Sequence, residues 1–139
     1  SHKKTGSTEG HAIAGTSPLQ NARVEDAPRR IEICRNAILK KDFEAFANII
    51  EHDSDMMHSV MMTSNPPLMY WQSATLEIFH QVREWRASGL PVGYTVDAGA
   101  NVHVLCLEDY AKEVERRLRE VPGVSNVLVA GVGGAAKVV

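Results

Sequence analysis

Cysteine and aromatic residues are scarce in this chain, with two cysteines and 6% Phe, Trp and Tyr in 139 residues. Cys34 and Cys106 each sit in an apolar pattern. That points to buried free thiols in a reducing, cytoplasmic compartment rather than to a disulfide or a metal pair. Neither sign of charge is in excess: 15 Lys and Arg against 17 Asp and Glu leave a formal net charge of −2. The basic residues are spread out apart from short pairs such as Lys40-Lys41 and Arg116-Arg117, which argues against a nucleic-acid or membrane-surface role. No apolar run approaches the ~20 residues of a membrane-spanning helix, and the chain does not open on a charged-then-apolar signal peptide. Internal repeats and low-complexity tracts are also lacking. What remains, 44% hydrophobic and 23% charged, is the composition of a globular protein long enough for one core. The first residue is Ser1 and the opening stretch is small and polar, so the chain reads as a processed or excised fragment.

Hydrophobic spacing divides the chain into helices first and strands later. Residues 1–22 hold many Gly, Ser and Thr; they read as a loop with a short helix from Thr8 to Ala14, capped by Ser7. A helix is expected from about Ala27 to Lys40, with Pro28 in its first turn and Ile31, Cys34 and Ile38 on its buried face. Asp42 is placed to cap a second helix to about Met62, whose stripe is Phe46, Ile50, Met57 and Met61 with Asp53 in the missing step. Pro66-Pro67 ends it. A third helix, about Leu68 to Ala87, buries Trp71, Ile78, Val82 and Trp85 and stops at Ser88-Gly89.

The period then falls to two. Val92–Val96 and Val102–Leu107 form a hairpin around the turn 97–101, followed by a helix from about Asp109 to Glu120 using Ala111, Val114 and Leu118. Strands from Asn126 to Ala130 and from the glycines at 131–134 to Val139 complete the reading. The fold class is therefore α+β, helices on one face of a small antiparallel sheet, with a ferredoxin-like hairpin–helix–strand unit. The division expected is residues 1–22 as a loop and short helix, and 23–139 as the α+β domain.

Three groups of residues could carry chemistry. Asp97 ends an apolar strand and enters a turn relieved by Gly99, so its carboxylate can stand at the rim of a sheet, partly desolvated, as a general base or a hydroxyl-orienting group. The competing reading is a turn-forming aspartate bonded to its own backbone. Ser7 and Thr8, after Lys3-Lys4, offer hydroxyls at a helix start suited to a phosphate, against the reading of a plain helix cap. Asp53, Ser54 and His58 share neighbouring faces of the second helix, and a structural hydrogen-bond network is a better account of them than a metal site. Gly131-Val132-Gly133-Gly134 lacks the following helix of a dinucleotide fingerprint, and the methionines follow helix faces as core filler.

Four segments, in order, resemble the diphosphomevalonate decarboxylase family of the GHMP kinase superfamily. Lys3-Lys4-x-x-Ser7-Thr8-Glu9-Gly10 followed by Thr16-Ser17 resembles its KK-x-S-S-T-x-G-M … T-S segment. Lys40-Lys41-Asp42-Phe43 with Asp53-Ser54-x-x-x-His58 resembles its helix entry and D-S-N-x-x-H-A stretch. Pro66-Pro67-Leu68-Met69-Tyr70 resembles P-P-I-F-Y, and Tyr94-Thr95-Val96-Asp97-Ala98-Gly99-Ala100-Asn101 resembles Y-T-F-D-A-G-P-N. The likeness runs from Lys3 to about Leu107 and fades beyond.

The resemblance implies the carboxy-terminal half of an ATP-dependent decarboxylase that converts mevalonate 5-diphosphate to isopentenyl diphosphate, phosphate and CO2. It implies Asp97 as the catalytic carboxylate at the tertiary C3 hydroxyl, and Ser7 and Thr8 near the substrate's phosphates. ATP and Mg2+ are implied as cofactors held mainly by an amino-terminal half, whose glycine-rich ATP loop has no counterpart here. That half is the implied partner, together with a second copy in a homodimer, and the fragment alone is expected to be inactive. Ala100 stands for the usual Pro, Gly6 for the first Ser and His11 for Met, so mevalonate 5-phosphate as substrate is the alternative within the class. A non-catalytic ligand-binding or dimerising α+β module is the alternative outside it.

Overall fold

The computed structural model describes residues 6–135 and 137. The helical half consists of α1 (Ser7–Ile13), a 3-10 turn (Ala14–Thr16), α2 (Gln20–Lys40), α3 (Phe43–Met62) and α4 (Ser73–Ala87). Then come β1 (Val92–Val96), β2 (Val102–Cys106), a 3-10 turn (Glu108–Tyr110) and α5 (Ala111–Glu120). Punctuation in the sequence sets most of these limits. Lys41 turns left-handed (φ 56°) to end α2, and the Asp42 side chain then accepts the Ala45 N–H at 3.0 Å to start α3. Gly89, at φ +97°, ends α4 as only a residue without a Cβ does cheaply. No helix among the described residues is long and apolar enough to cross a membrane.

β1 and β2 pair antiparallel from Val92↔Cys106 to Val96↔Val102, and they form the two-stranded sheet of the described residues. Its core face carries Val92, Tyr94 and Val96 against Ile78, Phe79, Val82 and Trp85 of α4 and Val114 and Leu118 of α5. Phe79 stacks on Tyr94 with ring centroids 3.9 Å apart. The expected α+β class is the observed one.

The edge of β1 away from β2 is closed by side chains instead of a third strand. The Tyr94 N–H donates to Glu51 Oε1 at 3.3 Å, the Val96 N–H to Ser54 Oγ at 3.0 Å, and Arg86 Nη1 to the Val92 carbonyl at 2.9 Å. An exposed strand edge offers unpaired backbone groups, and here helix side chains satisfy them. Close approach makes this possible: a Cβ on Gly93 would lie 2.8 Å from the Ala47 Cβ.

This packing revises two expected helix faces. On α3 the buried face is Ala47, Glu51, Ser54 and His58, while of Phe46, Ile50, Met57 and Met61 only Met61 is buried. The strand edge demanded polar partners, and those residues occur on the other stripe. On α2 the face with Ile31 and Ile38 looks outward, the two residues being 67% and 59% exposed. The inward side is Ala37 and Arg30, whose guanidinium holds Asp26 and Asp53 at 2.9 and 2.8 Å. Asp53 is thus paired through α2, not through Ser54 or His58. Helix α2 also begins earlier than expected, so Pro28 lies in its interior. The thiols are free, as expected, but half-buried.

Two expected strands differ as well. Residues 126–130 form no strand: Val127 touches the core, whereas Leu128 is 88% exposed. Alternating valines signal a strand only when a neighbour supplies the hydrogen-bond ladder, and no described strand does so here. The last expected strand has no regular structure in its described residues 131–135 and 137, and its remaining positions lie outside the described residues.

Candidate active site

Helix α1 is short and packs through its one buried residue, Gly10. A Cβ there would meet Met61 Sδ at 3.1 Å and Tyr70 Oη at 3.2 Å, so a small residue lets the helix sit directly on α3. Tyr70 Oη also donates to the Gly6 carbonyl at 3.4 Å. The turn after α1 is tied to the end of α3 as well. The Asn65 N–H donates to Thr16 Oγ1 at 2.7 Å, and the hydroxyls of Ser17 and Thr63 share a hydrogen bond at 2.6 Å. Gly6, not Ser7, is the N-cap, and no side chain caps the helix. The expected Ser7 cap is therefore corrected, and the hydroxyls of Ser7 and Thr8 stand exposed in the first turn. Lys3 and Lys4 lie outside the described residues.

Asp97 follows β1 directly. Its turn is closed by its backbone, the Gly99 N–H donating to the Asp97 carbonyl at 2.9 Å, so the carboxylate is not spent on bonding its own turn. The expected partial desolvation is not observed, because the Asp97 side chain is 86% exposed. Its neighbour is His103, with Nε2 3.7 Å from Oδ2. His103 went unrecognised in the sequence; the signal available was its place on β2 opposite Thr95, one residue pair from the turn.

One cluster links the two segments. Val60, Met61 and Tyr70 form a small apolar core against which both Ala14 and Ala98 pack. Ala98 is the residue after Asp97, and Ala14 is the residue after α1. The sequence-predicted residues Asp97, Ser7 and Thr8 are thus carried by segments seated on the same three side chains.

Behind Asp97 lies the network expected around Ser54 and His58. Ser54 Oγ accepts the Val96 N–H and donates to the Val96 carbonyl at 3.2 Å, and His58 Nε2 meets that same carbonyl at 3.1 Å. His58 is 1% exposed, between Tyr70 (ring centroids 5.8 Å apart) and Trp71 (5.1 Å). Burial pushes its pKa below the usual histidine range, opposed in part by the bond to Val96 and the charge of Asp97. Burial raises the Tyr70 phenol, and Glu9 adds to that. A second cluster stands farther along α3, where Glu51 binds Arg86 through both oxygens, at 2.5 and 2.8 Å, and Arg83 joins Asp55 to the Tyr94 hydroxyl. Burial raises Asp55, and burial lifts the Tyr94 hydroxyl beyond its ordinary range.

Comparison with known proteins gives these features a context. The profile of the family "Mevalonate 5-diphosphate decarboxylase C-terminal domain" matches residues 1–131. The phosphomevalonate decarboxylase of Haloferax volcanii is 32% identical over 131 residues, 94% of this chain and 40% of that protein. The human diphosphomevalonate decarboxylase is 35% identical over 115 residues, 80% of this chain and 29% of that protein. A structure titled "MDDEF in complex with MVAPP, AMPPCP and Magnesium" superposes with a TM-score of 0.81 at 28% identity, covering 88% of this chain and 38% of that one. Mevalonate pyrophosphate decarboxylase from Streptococcus pyogenes gives 0.81 at 30% identity over 86% of this chain and 39% of that chain. The chain therefore spans well under half the length of each of these relatives.

Proposed function

Since this chain belongs to the mevalonate 5-diphosphate decarboxylase family, as its C-terminal domain, we propose that it supplies the catalytic carboxylate and part of the substrate site of an ATP-dependent decarboxylase. The reaction is the conversion of mevalonate 5-diphosphate to isopentenyl diphosphate, phosphate and CO2, in the cytoplasm. The observation that carries this reading is the shared seat of the Asp97 turn and of α1 on Val60, Met61 and Tyr70. It supports the reading because the exposed groups Asp97, Ser7 and Thr8 all belong to segments anchored on the same side chains.

The chemistry suits that arrangement. A tertiary alcohol is a poor nucleophile and a poor leaving group. It must be aligned, its proton polarised toward a base, and its oxygen phosphorylated before elimination. Asp97 fits the first task, as a base or orienting group for the C3 hydroxyl. When phosphate departs, positive charge grows at C3, and a fixed carboxylate stabilises it. Phosphoryl transfer itself depends mainly on positioning and charge neutralisation. The family's glycine-rich ATP loop has no counterpart in this sequence, and among the described residues no group of three His, Cys, Asp or Glu stands together. ATP and Mg2+ are accordingly assigned to the partner half, and so is the covering of Asp97 that desolvates it.

Exposed apolar residues on α2 support a second contact, with another copy of the chain. Val24, Ile31, Ile38 and Leu39 project outward, Arg35 lies in the same stripe, and Glu25 and Glu32 run along its flank, all exposed. Antiparallel pairing about a two-fold axis near Ile31 sets Arg35 close to Glu25 of the other copy, whereas parallel pairing would oppose Arg35 to itself.

Mevalonate 5-phosphate is the second reading of the substrate, favoured by the Haloferax volcanii relative, which matches 94% of the chain. One experiment addresses both. The chain is assayed for ATP-dependent CO2 release, alone and after joining to a family amino-terminal half, with mevalonate 5-diphosphate and mevalonate 5-phosphate. Activity is expected only from the joined protein, and the preferred substrate fixes the phosphate count. Release of CO2 by the chain alone, or none with either substrate from a folded joined protein, would contradict the proposal.

A further inference from the structure

The Asp97 side chain extends into open space with His103 beside it, and its backbone is held from behind. Val96, the residue before it, is the most heavily bonded backbone position of the strand edge. Its N–H donates to Ser54 Oγ, and its carbonyl accepts from Ser54 Oγ at 3.2 Å and lies 3.1 Å from His58 Nε2. Two lone pairs on one carbonyl oxygen match two donors, which assigns the histidine proton to Nε2. All three residues are buried.

We propose that Ser54 and His58 are positioning residues for Asp97, fixing the plane of the Val96–Asp97 peptide and hence the direction of the carboxylate. The peptide unit is planar, so holding the Val96 carbonyl also holds the Asp97 N–H and Cα. The Asp97 φ angle is then the one soft torsion between that plane and the Cβ direction. The His58 ring is wedged in turn between Tyr70 and Trp71, and Tyr70 reaches the Gly6 carbonyl at the start of α1. One buried imidazole therefore relates the carboxylate to the segment carrying Ser7 and Thr8. Closing the open edge of β1 accounts for bonds to Val96 as such; what singles this carbonyl out is that it belongs to the peptide unit carrying the exposed aspartate. The inference rests on the reading of Asp97 as catalytic.

The test uses the chain joined to a family amino-terminal half, with His58→Leu, His58→Gln, Ser54→Ala and Asp97→Asn, assayed for kcat and KM with the phosphorylated mevalonate. Displacing a reacting group by about 1 Å costs on the order of 100-fold in rate, and His58→Leu is expected to lower kcat by that order with KM within about twofold. In His58→Gln the amide nitrogen reaches the same carbonyl, so at least about a tenfold recovery over His58→Leu is expected. Ser54→Ala, a smaller change that does not depend on folding of the leucine variant, is expected to lower kcat about tenfold. The proposal is overturned if Ser54→Ala leaves kcat unchanged, or if Gln rescues no better than Leu. A fully active Asp97→Asn would instead sink the underlying reading of the site, which keeps the two failures apart.

Discussion

The close approach of α3 to the sheet at Gly93 gives a prediction that can be worked from distances. A methyl group added at position 93 would lie 2.8 Å from the Ala47 Cβ and 3.2 Å from its Cα. The clash is partly with backbone, so no flexible side chain can swing away. Either β1 or α3 must move, and moving them lengthens the bonds from Glu51 and Ser54 to the strand edge. Overpacking a filled interior costs about 1–3 kcal/mol, and Gly93→Ala is placed near 2 kcal/mol. For a chain of this size that corresponds to a Tm lower by roughly 6 °C. Ala47→Gly alone should cost about 1 kcal/mol through helix propensity. Combined with Gly93→Ala it removes the opposing methyl, so the double variant should be more stable than the sum of the single losses by about 1 kcal/mol or more. Urea unfolding of the four proteins completes the cycle. A Gly93→Ala loss below about 0.5 kcal/mol, or strict additivity, would refute the claim that this contact sets the strand's distance from the helix.

Other consequences follow from the same structure. Glu51→Ala leaves Arg86 and the Tyr94 N–H without their buried partner and should destabilise the fold by about 3–5 kcal/mol, read by denaturant unfolding. Because burial depresses His58 in the folded state, its contribution to stability is complete above the ordinary histidine pKa, near 6.5. That contribution is lost as pH falls from there toward the depressed value, because the unfolded chain takes up the proton first. Wild type should therefore lose more stability than His58→Gln between about pH 7 and 5.5, and parallel curves would contradict it. Ile31→Glu with Ile38→Glu should convert a dimer to a monomer in sedimentation analysis while leaving the monomer folded, since both side chains are exposed on the single chain. A double variant that remains dimeric would remove α2 as the contact.

What the sequence revealed, and what it hid, divides along physical lines. Local chemistry was legible: Asp42 as a cap, Gly89 as a stop, and the hairpin around Asp97 depend on a few neighbouring residues each. Which side of a helix turns inward was not. Ile31, Cys34 and Ile38 form a regular face, yet Ile31 and Ile38 point out and Cys34 is only half-buried, because the contact of α2 with α3 uses Ala37 and the ion pairs of Arg30. Periodicity reports that a face exists and says nothing of what will cover it. The α3 stripe failed for a related reason, since the needs of a strand edge forty residues away decided that Glu51, Ser54 and His58 face inward. Ser54 and His58 could be read as a network, but their shared partner is a backbone carbonyl, which no side-chain pattern encodes. The valines from 127 onward read as a strand only where another strand accompanies them. The place of Asp97 at the end of β1 and the start of its turn was legible, while its exposure depends on whatever covers this face.

In the proposed reaction the Asp97 carboxylate acts at the reacting carbon centre. In the joined enzyme, Asp97→Asn keeps the size and the backbone of the turn but removes the charge. Single-turnover measurement of CO2 release should then fall by at least about 1,000-fold, the scale of losing a principal electrostatic group, while nucleotide binding is unchanged. Release within a few-fold of wild type would contradict the central claim.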